Sequence, residues 1–146
     1  MITKQEYLDI YDVVSVAMEV YNTLGRGLAE AVYQEAFAME MRLQEMEVER
    51  EKQLHLYYKD MLLEKSYFAD FYYKGIVIEM KAVDNIISDH RAQLFNYLRI
   101  SRQNKEVLLN FGEKSLRAER YIVNEESDRF ILLTQDNYKQ YILPSL

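Results

Sequence analysis

The sequence contains no cysteine, which excludes a disulfide framework and any thiolate metal site. Its two histidines, His55 and His90, stand far apart, which excludes the zinc motifs built on close histidine pairs. There is no Gly-x-Ser-x-Gly elbow and no Walker-type loop, so neither that serine chemistry nor a P-loop nucleotide site is expected. No apolar stretch approaches the roughly 20 residues of a membrane-spanning helix. The first residues lack a basic segment followed by an apolar run, so the expected home is the reducing cytoplasm, with no membrane partner. Positive charge is also scarce. Eighteen Lys and Arg against 24 Asp and Glu give −6, which disfavours a long, nonspecific grip on nucleic acid.

What is present is an ordinary globular balance, 49% apolar and 29% charged over 146 residues, enough for one domain (1–146) with a real core. Apolar residues recur at helical spacing from Tyr7 to Leu24 (Ile10, Val13, Val14, Ala17, Tyr21, Leu24), and Gly25-Arg26-Gly27 stops that helix. A second helix is predicted over Leu28 to Met46, burying Leu28, Val32, Ala36, Met39 and Leu43. Strand patterns follow at Gln53 to Tyr58, Leu62 to Tyr72 and Ile76 to Lys81, the first two joined by a Lys59-Asp60 turn. Ser88 or Asp89 is expected to cap a third helix, His90 to Arg102, with Leu94, Phe95 and Leu98 inward. Val107 to Phe111 is almost wholly apolar, the pattern of a strand buried on both faces. A strand at Leu116 to Val123 and an edge strand at Phe130 to Leu133 complete the reading, before a Tyr-rich tail ending at Pro144. The order α-α-β-β-β-α-β-β predicts an α/β domain, a mixed sheet flanked by helices.

The chemistry concentrates between Asp70 and Lys81. With Lys74 and Gly75 as a two-residue hairpin loop, Tyr73 pairs with Ile76, Tyr72 with Val77 and Phe71 with Ile78, which sets Asp70 opposite Glu79. Like charges so placed repel. Lys81 returns to the face of Glu79 about 7 Å further on. Two carboxylates forced together beside an ammonium suit hard-oxygen ligation of a divalent cation, with the lysine aimed at whatever the cation binds. The same residues also read as a solvated surface network, worth at most about 1 kcal/mol per pair.

An Asp, a short hairpin, Glu-x-Lys, then a helix with Gln-x-x-x-Tyr resembles the PD-(D/E)XK nuclease superfamily, and within it the small branch of GxxExxY proteins. The naming motif stands as Gly27, Glu30 and Tyr33. Further landmarks are Tyr57-Tyr58-Lys59, Ala69-Asp70, Ile78 to Val83, His90, Gln93-Leu94, Asn96-Tyr97-Leu98 and Leu109-Asn110-Phe111-Gly112. The resemblance covers roughly residues 7–123 and leaves 124–146 as a C-terminal extension. One departure is Ala69, where the superfamily's name has proline.

The resemblance implies a restriction-endonuclease-like core and a Mg2+-dependent nuclease, with Mn2+ as substitute metal and DNA more favoured than RNA. Asp70, Glu79 and the Met80 carbonyl would ligate the metal, and Glu30 would add a carboxylate directly or through water. Lys81 would orient the attacking water and stabilise charge on the phosphate. Gln93 and Tyr97, one helical turn apart, would steady Lys81 or contact that phosphate.

Bland readings stand beside these roles. Glu30, three residues after Gly27, also fits a carboxylate near position N3 of a helix. Tyr33 reads as core packing with a tethered hydroxyl, His90 as a helix-start residue and His55 as structural. At the level of function, a catalytically silent relative serving as a partner-binding or self-associating module competes with the nuclease, as does a hydrolase of smaller phosphate esters. The completeness of the acid-acid-lysine set favours the nuclease.

Overall fold

The computed structural model describes residues 1–144; Ser145 and Leu146, the end of the expected extension, lie outside the described residues. Helix α1 (Lys4–Leu24) begins earlier than its apolar period because Thr3 and Glu6 form a reciprocal capping box. It ends where expected, at Gly25, whose positive φ of 72° turns the chain while its N–H bonds to the Tyr21 carbonyl at 2.8 Å. Its buried line is Ile10, Val13, Val16, Ala17 and Val20. Helix α2 is Glu30–Leu43, shorter than predicted and rotated about its axis. Tyr33, Phe37, Ala38 and Met41 are buried, Ala36 is half-buried, and Leu28, Val32, Met39 and Leu43 lie exposed. The larger rings at i and i+4 decided which stripe went inward, Phe37 packing on Phe71 and Tyr33 stacking on Phe111.

One six-stranded sheet follows, in spatial order β1 (Glu49–Tyr58), β2 (Met61–Tyr73), β3 (Ile76–Lys81), β4 (Lys105–Asn110), β5 (Arg117–Asn124), β6 (Arg129–Leu132). All neighbours are antiparallel except β3 and β4, whose parallel pairing is bridged by α3 (Ser88–Ile100). The sheet is mixed with helices on both faces, consistent with a restriction-endonuclease-like fold. Strand β1 begins at Glu49, ahead of the predicted Gln53, and so takes in the charged residues Glu49 to Lys52. As an edge strand it can carry exposed Glu49, Arg50 and Glu51. Helix α3 starts after Ile87 with no side-chain cap, so neither Ser88 nor Asp89 plays the expected capping role.

Strands β3 and β4 are buried on both faces. Ile76, Ile78 and Met80 join the larger core under α1 and α2, with Val107, Leu109 and Phe111. Val77 joins a smaller core under α3, with Leu94, Leu98 and Leu108. By the period of two, Glu79 and Lys81 share the α3 face with Val77. The chain after β6 packs back onto the fold: Tyr138 stacks on Tyr7, and Ile142 bridges to Ile2.

Candidate active site

Lys74 and Gly75 both have positive φ (47° and 79°), the requirement of a type I′ hairpin turn, and they fix the register. Tyr73 pairs with Ile76, Tyr72 with Val77 and Phe71 with Ile78, as the sequence predicts. The ladder then opens: Asp70 pairs with neither Glu79 nor, on its other side, Glu51, whose φ is +49°. The face presented by β2 switches here. Tyr67 and Ala69 pack under α3, whereas Phe71 and Tyr73 pack under α1 and α2. The expected direct ladder pairing of Asp70 with Glu79 is therefore replaced by a side-chain arrangement. Asp70 Oδ2 takes the place of a ladder acceptor and receives the Met80 N–H at 2.8 Å.

Glu79 is 8% exposed, and its carboxyl lies close enough to that of Asp70 to be perturbed by it. Burial first, then the Asp70 charge, push it up to about 9. The Tyr67 hydroxyl, donating to Glu79 Oε1 at 3.0 Å, and the charge of Lys81 pull the other way without cancelling the shift. Among the described residues Lys81 forms no salt bridge, so it is not the ion-pair partner of a surface network. Lys81 lines a cavity of about 260 Å³ together with Glu79, Tyr67, His90, Gln93 and Tyr97. Gln93 and Tyr97 thus face the acid and lysine from α3.

Glu30 is the first residue of α2, after the uncapped Ala29, rather than at the third position. Its carboxyl is raised by partial burial and then by Asp70, and lowered by Lys81, so it lies within the electrostatic reach of both. Tyr33 is wholly buried, and its hydroxyl donates to the Gly25 carbonyl at 2.6 Å and accepts from the Leu28 N–H. That tether fixes the α1–α2 loop and hence the start of α2, where Glu30 stands.

Three residues without an assigned role matter here. Tyr67 holds Glu79 and stacks on Tyr97 (4.6 Å, 14°). Its place three positions before Asp70 gave no warning, because only the switch of face at Asp70 turns it under α3. Glu106 on β4 is fully buried with neither carboxylate oxygen hydrogen-bonded, and burial, then Glu79 and Asp70, raise it well above the usual carboxylate range. A charged residue opening a wholly buried strand was the available signal. Asn110 clamps the segment after Lys81: Oδ1 accepts from Val83 and Gly112 N–H groups, and Nδ2 donates to the Val83 carbonyl and Glu113.

A family model described as the PD-(D/E)XK nuclease superfamily matches residues 8–122. The chain belongs to that superfamily. No curated protein and no solved structure matches it. The superfamily match takes in Glu30, Asp70, Glu79, Lys81, Gln93 and Tyr97, and leaves out the Thr3 cap and β6. PD-(D/E)XK proteins are generally nucleases and typically use divalent metals. Two neighbouring carboxyls, one of them buried and strongly raised, in part by the other's charge, form an all-oxygen donor set that a hard dication suits. Among the described residues no group of three or more acids or histidines is arranged around a common metal position.

Proposed function

We propose that the chain is a Mg2+-dependent nuclease of the GxxExxY branch, hydrolysing phosphodiester bonds of nucleic acid, DNA rather than RNA, in the cytoplasm. The observation that carries this reading is the buried Glu79 beside Lys81 on the lining of one cavity with Gln93 and Tyr97, with Asp70 near enough to raise the Glu79 carboxyl. Asp70, Glu79 and the Met80 carbonyl would hold the cation, for which Mn2+ would substitute, and Glu30 would add a carboxylate directly or through water. The bound cation supplies an activated water and screens charge developing on the phosphate. Lys81 places its ammonium at the attacking water and the phosphate oxygen, where fixed positive charge in a partly dry site counts for more than in bulk water. Gln93 and Tyr97 position the phosphate from α3. Residues 1–146 form one domain, with 124–146 an extension of it.

The test is cleavage of single-stranded, double-stranded and branched DNA, and of RNA, by purified protein. Hydrolysis should require Mg2+ or Mn2+ and stop in EDTA, with Ca2+ supporting little turnover because its looser geometry positions water poorly. A net charge of −6 favours one second reading, a silent relative that binds a partner or a second copy of itself. Metal binding without cleavage of any substrate would select it.

A further inference from the structure

We propose that the cavity between α3 and the sheet receives one unpaired nucleobase of the substrate strand, making single-stranded or frayed nucleic acid the substrate class. The proposal rests on the nuclease reading for the strand it serves. Its basis is the lining. Tyr67 and Tyr97, stacked on each other, contribute aromatic surface, and Ile86, Leu94 and Leu108 contribute apolar wall, so the cavity offers apolar contact to a flat ring beside the polar groups that face the phosphate. Glu79 and Lys81 lie on the same lining, which sets the proposed cleavage centre directly beside the ring that enters. Gln93 and His90 add an amide and an imidazole, groups able to pair with a base edge.

Size and charge point the same way. A volume of about 260 Å³ lies just below the range of about 300–1,000 Å³ typical of small-ligand pockets, the scale of one planar ring system. A base inside a duplex is stacked and paired, so only an unpaired or extruded one can enter. Among the described residues lining the cavity Lys81 is the one permanent cation, and the whole chain carries −6. Affinity from phosphate neutralisation is therefore small. Stacking of a base on aromatic side chains, worth about 5- to 100-fold in affinity, supplies what charge does not.

The experiment uses the full chain in EDTA and, separately, in Ca2+, with three fluorescein-labelled oligonucleotides read by anisotropy: a single strand, the same strand in duplex, and an abasic single strand of equal length. The intact single strand should bind about 5- to 100-fold more tightly than the abasic one, and more tightly than the duplex. Ile86→Phe, which narrows the cavity from its apolar wall and leaves Asp70, Glu79 and Lys81 unsubstituted, should bring the intact strand down to abasic affinity and leave abasic binding unchanged. If that variant does not fold, the intact-against-abasic comparison decides alone. Equal affinity for intact and abasic strands, or a preference for duplex, overturns the proposal. Parallel Mg2+ assays separate the two readings. Base-dependent binding with no cleavage sinks the nuclease and leaves the pocket standing; metal-dependent cleavage indifferent to abasic sites does the reverse.

Discussion

The Tyr67 hydroxyl donates to Glu79 Oε1 at 3.0 Å while its ring lies 4.6 Å from that of Tyr97, so a buried acid on β3 is tied through β2 to α3. The hydrogen bond favours the charged form of Glu79, against a stronger push from burial and Asp70. Tyr67→Phe keeps the ring and removes the donor. Glu79 should then hold its proton more tightly and bind Mn2+ about 3- to 10-fold more weakly at pH 7, with the gap narrowing at pH 9, where the proton competes less. Isothermal titration at the two pH values measures this. A loss equal at both would mean that the hydroxyl acts through packing alone.

Burial of Glu79 and Glu106 sets a pH dependence on the metal-free fold. Both carboxyls are raised, Glu79 to about 9, so the stability they contribute is fully present below about 4.5 and is lost as pH rises through the folded values. Glu113 and Glu119 are lowered and act in the opposite sense, losing their contribution only as pH falls below about 4.5. The window from pH 5 to 9 therefore reports the raised carboxyls, Glu30 among them, and the Glu106 variant separates out one of these. Glu106→Gln cannot ionise, and its stability advantage over the parent should grow by about 1–3 kcal/mol between pH 5 and 9. Urea unfolding in EDTA reads the difference. Parallel pH curves for parent and variant would show that Glu106 is not the group responsible.

Asn110 and Gly112 hold the segment that follows Lys81. Asn110→Ala leaves the Val83 N–H and carbonyl without their partner and should cost about 2–4 kcal/mol, at the upper end for buried hydrogen-bond loss because several bonds go together. At Gly112 an added Cβ would stand 2.3 Å from the Val83 carbonyl oxygen, so Gly112→Ala must displace backbone and should cost at least as much. Thermal unfolding tests both. A neutral Gly112→Ala would mean that the β3–α3 connection is looser than these contacts imply.

Most of the fold was legible because its signals were local. The hairpin register followed from Lys74-Gly75, the buried strand from Val107 to Phe111, and the third helix from Leu94 and Leu98. Helix α2 misled because two apolar stripes compete on it, and only the rings of Phe71 and Phe111, distant in sequence, select the one with Tyr33 and Phe37. The acids and lysine were nameable from spacing, but the way Asp70 meets its neighbours was not. A ladder that opens on both sides of one residue is a tertiary event, and a period of two carries no sign of it. Tyr67 was hidden for the same reason, since its face depends on that opening.

The central claim is that Asp70 and Glu79 hold a cation on which Lys81 does not depend, while turnover needs all three. Mn2+ binding and Mg2+-dependent cleavage should be measured side by side on the parent, Asp70→Asn and Lys81→Ala. Lys81→Ala should keep metal affinity within about threefold and lose cleavage by at least about 100-fold, the scale of removing one group that stabilises transition-state charge. Asp70→Asn should lose both. Cleavage that survives Asp70→Asn, or metal binding that disappears with Lys81→Ala, would contradict the assignment.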